Sequence, residues 1–324
     1  MKRRTLLIVV VLALVVVGLG TWALTHRNTS KPTVAILNLL SHPILDQSVQ
    51  GIKDGLQDRG YSPERVRIIE VNANGEMDKL DALAREMLAV NPDVIVPVST
   101  PMSQAVVRAA SAKQAIVFST VTNPADIGIR AGATNVTGVS DVVNYAANLD
   151  LLKELFPGAR RIGIIYNAGE RNSQYGVDRV RQLAAERGLD LRLVTVSRSD
   201  QVVDATRSLI GQVDAIYVGS DNTVVSAIAG VTRVAYENHI PVIASDIGSV
   251  EDGALAAVSV DYRKLGRTAG EMVAQLLSSG ESPGEIRPVA FQGDALVLND
   301  QAAERLGFTF PAGVRSRAAK VVGP

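Results

Sequence analysis

From Pro32 onward, short runs of apolar and β-branched residues alternate with stretches of helical periodicity, and this alternation limits the possible folds more than any other feature. Thr33-Val34-Ala35-Ile36-Leu37, residues 66–71, residues 94–98 and Ala115-Ile116-Val117-Phe118 read as strands. The helices between them carry apolar stripes, with Val49, Ile52 and Leu56 in one and Leu80, Leu83, Met87 and Leu88 in the next. Thr100-Pro101 reads as a helix start, with Thr as N-cap and Pro at the first helical position. Strands that alternate with helices predict right-handed βαβ units around a parallel sheet.

Thr122-Asn123-Pro124 interrupts this pattern, and an irregular Gly-rich stretch continues as far as Gly138. The alternation then restarts, with helices over 149–156, 174–187, 200–210 and 223–238 and strands over 161–166, 191–196, 214–218 and 240–244. A further strand (254–258) and helix (264–277) come next, then strands at 289–291 and 295–298 and a final helix at 300–306. One βα unit beyond a complete second half implies that the chain crosses back. The expected fold is α/β: two Rossmann-like lobes with parallel sheets, joined by a three-crossover hinge near Thr122, Ser245 and Phe291. Residues 32–122 plus about 247–287 would form the first lobe, 123–246 plus about 288–311 the second, and 312–324 a tail.

Met1-Lys2-Arg3-Arg4 precedes an uncharged apolar stretch over residues 5–24. About 20 apolar residues match a membrane-spanning helix, whereas a cleavable signal core has about 7–15. The basic residues place the N-terminus in the cytoplasm, so that the rest of the chain is exported. A signal anchor held in the inner membrane, with a polar linker before residue 32, is therefore favoured over a cleaved signal. Over the whole chain the charges balance, 33 Lys+Arg against 33 Asp+Glu, and no basic run outside the N-terminus invites nucleic acid. The chain has no cysteine, which excludes disulfides, thiolate metal sites, a Cys nucleophile and a lipid-bearing N-terminal Cys. No G-x-S-x-G elbow or phosphate-binding G-x-x-x-x-G-K occurs, and the three histidines are widely spaced. Neither catalysis nor a metal or other cofactor is expected.

In an open α/β sheet, ligands bind beyond the carboxyl ends of the strands. The polar loop Tyr166-Asn167-Ala168-Gly169-Glu170-Arg171-Asn172-Ser173 lies at such an end, and similar polar stretches succeed the strands at 38–46, 99–103 and 220–222.

These stretches also carry a resemblance. Ser41-His42-Pro43-Ile44-Leu45-Asp46, Asp93-Val94-Ile95-Val96, Thr100-Pro101 and Val121-Thr122-Asn123-Pro124 occur in that order. Asn135-Val136-Thr137-Gly138-Val139-Ser140-Asp141, the loop 166–173, Ser220-Asp221-Asn222 and Leu265-Gly266-Arg267 come after them. Over residues 32–311 the set resembles the ABC-transporter substrate-binding proteins of the tryptophan/tyrosine-uptake type, which have a periplasmic-binding-protein type I fold. The resemblance implies an aromatic or branched amino acid captured between the lobes and handed to an ABC permease. It also leaves open a membrane-anchored sensor of the same fold, since neither a cleaved signal nor a lipidated Cys is evident.

A free amino acid needs donors for its carboxylate and an acid for its ammonium. Ser41, Thr100 and Ser103 stand where helix N-termini would receive the carboxylate. Glu170, Asp221 and Asp246 are candidates for the ammonium, with Glu170 first on both its loop and the resemblance. Thr100, Asp221 and Asp246 read equally well as helix caps. Asn123 lies at the first crossover, and Asn167, Asn172, Ser173 and Asn222 would complete a hydrogen-bond network. His42 and Tyr166 are further candidate contacts. A sugar receptor is disfavoured because the only tryptophan, Trp22, lies in the apolar N-terminal stretch. A transcriptional regulator of this architecture would need a helix-turn-helix there instead.

Overall fold

Valine, isoleucine and alanine fill the strands of two separate sheets, which the computed structural model describes over residues 31–323. In chain order the first strands are β1 (Thr33–Asn38), β2 (Arg67–Asn72), β3 (Val94–Val98), β4 (Ala115–Val121) and β5 (Val136–Val142). Then come β6 (Arg161–Asn167), β7 (Asp190–Val196), β8 (Ala215–Val218), β9 (Val242–Ala244) and β10 (Ala256–Ser259). The last are β11 (Val289–Gln292), β12 (Ala295–Asn299) and β13 (Lys320–Val322). The helices that matter here are α1 (Pro43–Asp58), α2 (Leu80–Ala89), α3 (Thr100–Ala109), α4 (Tyr145–Leu155) and α5 (Arg171–Glu186). They continue with α6 (Val202–Ser208), α7 (Asn222–Val225), α8 (Ile228–Glu237), α9 (Ile247–Glu251) and α10 (Tyr262–Ser279).

The first sheet has the order β11-β5-β4-β3-β1-β2 and is parallel throughout. The second has the order β13-β12-β10-β9-β8-β6-β7, and only the β10–β12 pair is antiparallel. Each sheet has its own buried apolar core, so the chain forms two α/β lobes. Parallel strands buried on both faces explain why β1 and β3 read as continuous apolar runs rather than alternating ones.

The chain passes between the sheets three times, after β5, after β10 and after β11. Two of these passages differ from the expected positions. The stretch read as irregular contains the start of β5, which pairs with β4 through Ile116↔Val136 and Val117↔Thr137, so the first passage comes after Val142 rather than at Thr122. The strand β10 pairs with β9 and β12, which keeps it in the second sheet and moves the second passage from Ser245 to just beyond Ser259. The third lies beside Phe291, near its expected place.

After the second passage α10 returns to the first lobe and lies against α1 with almost no space between backbones. A Cβ on Gly51 would fall 2.2 Å from the Arg263 carbonyl oxygen, and one on Gly266 would fall 2.0 Å from that of Ser48. Only glycine permits this approach. Arg263 and Arg267 then reach across to Asp54 and Asp58 at 2.8 and 2.5 Å. The contact fixes α10, and with it one of the three connections, to the first lobe. The signal anchor expected at residues 5–24 lies outside the described residues, among which no helix is long and apolar enough to cross a membrane.

Candidate functional site

The carboxyl ends of the two sheets face each other. Thr122 Oγ1, just past β4, lies 3.2 Å from Ser220 Oγ, just past β8. Arg171, the first residue of α5, pairs with Asp126 of the first lobe at 3.0 Å. On the opposite side the ring of His42 rests on the backbone of Gly248 in α9, where a Cβ would come within 2.7 Å of His42 Cε1. Between these contacts lies a narrow cavity of about 20 Å³, room for about one water molecule, lined from the first lobe by Leu40, His42, Ile44, Leu45 and Tyr262. Ser220, Asp221, Asn222, Val225, Ser245 and Asp246 line it from the second. That is far below the ~300–1,000 Å³ common for small-molecule pockets, so a ligand would enter only with the lobes further apart.

The loop 166–173 is organised, but inward. Glu170 is 2 % exposed, and its Oε1 accepts from Thr223 N at 3.0 Å and Thr223 Oγ1 at 2.7 Å. Its Oε2 accepts from Asn222 Nδ2 at 2.6 Å, Asn222 N at 3.1 Å and Asn172 Nδ2 at 3.2 Å. Five donors occupy this carboxylate, and two of them are N–H groups at the start of α7, where a negative charge is stabilised. Asp221 is equally engaged: Oδ1 caps α7 through Val224 N, and Oδ2 accepts from Asn167 N and Ser173 Oγ, each at 2.5 Å. Burial and the neighbouring Glu170 push the Asp221 carboxyl up to about 7. Asn167 completes the cluster by donating to Thr223 Oγ1 at 2.8 Å. Expected as the ammonium partner, Glu170 instead joins the β6 and β8 loops into one rigid floor. Tyr166 lines the space beneath that floor, against α5.

Asp246 is placed differently. It caps α9 through Ser249 N and Ser249 Oγ, both at 2.7 Å, and also lines the cavity. Asp141, at the end of β5, is near enough to be affected by the charge of Asp246; it ends one of the stretches that carry the resemblance but was not among the candidate site residues. Tyr262 Oη donates to Asp141 Oδ2 at 3.3 Å, while the buried Oδ1 has no partner. Burial pushes the Asp141 carboxyl up to about 7, and the charge of Asp246 adds to the effect. Among the described residues neither acid has a basic hydrogen-bond or ion-pair partner. Around them the hydroxyls of Tyr145 and Tyr217 and the Oδ1 of Asn172 are also buried without partners. Asn172 Nδ2 is held by Glu170 and by the Ser220 carbonyl at 2.8 Å, which fixes the orientation of that free oxygen.

On the first lobe, Thr100 and Ser103 are buried at the start of α3. The cap of that helix is Ser99, one residue earlier than expected, and Ser103 donates to its carbonyl at 2.7 Å. Thr100 Oγ1 receives the Thr122 amide at 3.4 Å. Ser99 and Thr120 have φ of +95° and +56°, unusual for residues with a Cβ, and such strain gathers at binding sites. Of the candidates His42, Asp221, Asn222 and Asp246 line the cavity, and the others do not. Ser41 is exposed and accepts from Asn72 at 3.0 Å, and Asn123 caps the short turn Pro124–Ile127.

This geometry has relatives. The family model for ABC transporter substrate binding proteins matches residues 33–322, and the chain belongs to that family. Its arrangement is the two-lobed, periplasmic-binding-protein-like one. The chain is 35 % identical over 278 residues to a tyrosine-binding protein of Clostridioides difficile (strain R20291), covering 84 % of this chain and 80 % of that one. A domain from Streptococcus pneumonia in complex with L-Trp is 30 % identical with a TM-score of 0.86, over 90 % of this chain and all (100 %) of that one. The ligand-free, open structure of a substrate binding protein with adhesive properties from Clostridium difficile is 33 % identical over the same shares, with a TM-score of 0.66.

Proposed function

We propose that this protein captures an aromatic amino acid between its lobes and delivers it to an ABC permease, with the ammonium held by Asp246 and Asp141. The observation that carries this reading is the pair of buried carboxylates, one from each lobe, with no protein cation between them. A buried charge left unpaired is costly, and an ammonium supplied by the ligand resolves the pair. Leu40, Ile44, Leu45, Val225 and Tyr262 give the rest of the cavity an apolar wall, against which an aromatic side chain would pack once the lobes part to admit it. The relatives that bind tyrosine and L-Trp point to the same ligand class.

In this reading residues 33–142 with 262–292 form one lobe and 145–259 with 295–322 the other, and the three connections serve as the hinge. The lobes are closed: the fit to the L-Trp complex is much better than to the open form, 0.86 against 0.66, at similar identity. Ligand bound to both lobes favours this state over the open one. The protein works outside the cytoplasm, tethered to the inner membrane through residues 5–24.

A thermal-shift screen of the purified protein against the twenty amino acids tests the reading, because binding to the folded state raises the melting temperature. Shifts with tyrosine, tryptophan or phenylalanine are expected. Shifts confined to other amino acids, or none at all, would overturn it.

A further inference from the structure

His42 is the one basic side chain that lines the cavity. It stands immediately before α1 in extended conformation, φ −151° and ψ 144°, and its side chain does not cap the helix. The residue is 5 % exposed, and neither ring nitrogen has a hydrogen-bond partner. An imidazole always carries at least one N–H donor, and burying that donor unpartnered is unfavourable. The first turn of α1 is uncapped as well, and its Ile44 and Leu45 line the same cavity. Pro43 at the first position contributes no N–H, so the first free amides of this 16-residue helix belong to those two residues.

The acids around His42 do not satisfy it. Asp252 Oδ2, from the second lobe, is 3.9 Å from Nε2, beyond a hydrogen bond, and is well exposed. Asp46, one turn along α1, accepts from Asn38 Nδ2 at 3.2 Å. A Cβ on Gly248 would meet the ring at Cε1, a carbon, rather than at a nitrogen. An unpartnered donor and an uncapped helix N-terminus therefore converge on one wall of the cavity, with Asp246 on the other. Helix N-termini favour anions through their free amides and their dipole.

We infer that His42 and the first turn of α1 bind the α-carboxylate of the ligand. This rests on the functional reading above and assigns the opposite end of the same molecule. The zwitterion then lies across the cleft, its carboxylate on His42 and α1 of the first lobe and its ammonium between Asp246 and Asp141. An amine that lacks the carboxylate would lose the contacts to His42 and α1.

The assignment is tested by calorimetric titration of wild type, His42→Ala and His42→Gln with L-tryptophan, L-tyrosine, tryptamine and tyramine. Losing a charge-assisted hydrogen bond should weaken the two amino acids about tenfold to a hundredfold in His42→Ala. Tryptamine and tyramine, already weak in wild type, should change by less than about threefold, since the group that His42 binds is absent. The His42→Gln variant, which restores an N–H donor, should recover part of the loss. Equal losses for amino acids and amines, or no loss for the amino acids, would overturn the assignment. Should His42→Ala fail to fold, wild type alone decides: amines binding as tightly as their amino acids overturn it, and a deficit of tenfold or more supports it. Wild type that binds no aromatic amino acid overturns the functional reading as well, which the other outcomes leave standing.

Discussion

Tyr262 donates its phenolic hydrogen to Asp141 Oδ2 at 3.3 Å, joining the first turn of α10 to the last residues of β5. Both residues are 2 % exposed, and both flank connections between the lobes. The bond holds one oxygen of Asp141 and leaves the other buried without a hydrogen-bond partner. An acid so placed cannot be explained by stability alone, because its burial costs free energy that one phenol does not offset.

Replacing Asp141 with Asn should therefore separate stability from binding. The variant keeps the shape and removes the buried charge, so the melting temperature without ligand should hold or rise. Its affinity for L-tryptophan should fall about tenfold to a hundredfold, the effect of losing a charged hydrogen-bond partner. Calorimetry and thermal unfolding on the same preparation give both numbers. Unchanged affinity would move the ammonium away from Asp141.

The same acid sets a pH dependence. Its ordinary value is 3.8 and the closed fold raises it to about 7. Below the lower value the group is protonated whether folded or not. Between the two, the closed form retains a proton that the unfolded chain releases, and stability falls as pH rises, with the penalty complete above about 7. Asp221, also raised to about 7, acts in the same sense. A ligand ammonium favours ionised Asp141 and offsets that part of the penalty. The rise in melting temperature produced by saturating L-tryptophan should thus be larger near pH 7.5 than near pH 5. An identical rise at both would argue that no ammonium reaches this carboxylate.

Glu170 leads to a prediction opposite to the one its sequence context invites. As a solvated loop acid it would be dispensable to the fold and essential to binding. With five donors on its carboxylate, Glu170→Ala strands the amides and side chains of Asn222 and Thr223 in a buried site. A loss of about 2–4 kcal/mol in urea unfolding is expected, partly reduced by relief of its repulsion with Asp221. A variant as stable as wild type would show that solvent reaches this floor.

This contrast marks how far the sequence was legible. Long apolar runs such as Val94–Val98 announced their strands, and polar loops at strand ends located the cleft. What spacing cannot show is which way an acid in such a loop turns, since Glu170 and Asp246 come after equally polar strand ends. β5 was hidden because turn-forming residues precede it and Gly138 interrupts it. That glycine has φ +156°, and a Cβ there would lie 2.2 Å from the Phe118 carbonyl oxygen. Asp141, at the end of that strand, was not among the candidates, although it ends one of the stretches that carry the resemblance, and that was the available signal. Nor does periodicity reveal which sheet a strand joins: β5 and β10 are assigned by pairings far apart in sequence.

Closure itself can be tested at Gly248. In the closed form an added methyl there would lie 2.7 Å from His42 Cε1, 3.1 Å from Pro43 Cβ and 3.2 Å from Ile44 Cγ2, all on the other lobe. Within its own lobe the position is the second residue of α9, where alanine is well tolerated. Gly248→Ala should therefore leave unfolding of the separate lobes nearly unchanged while keeping them from meeting. Wild type with L-tryptophan should contract in small-angle scattering, and the variant should contract less at saturation. Its affinity should fall about tenfold or more, because the contacts that favour the closed state form incompletely. Full contraction with unchanged affinity would mean that His42 moves aside at little cost and that the contact with α9 does not limit closure.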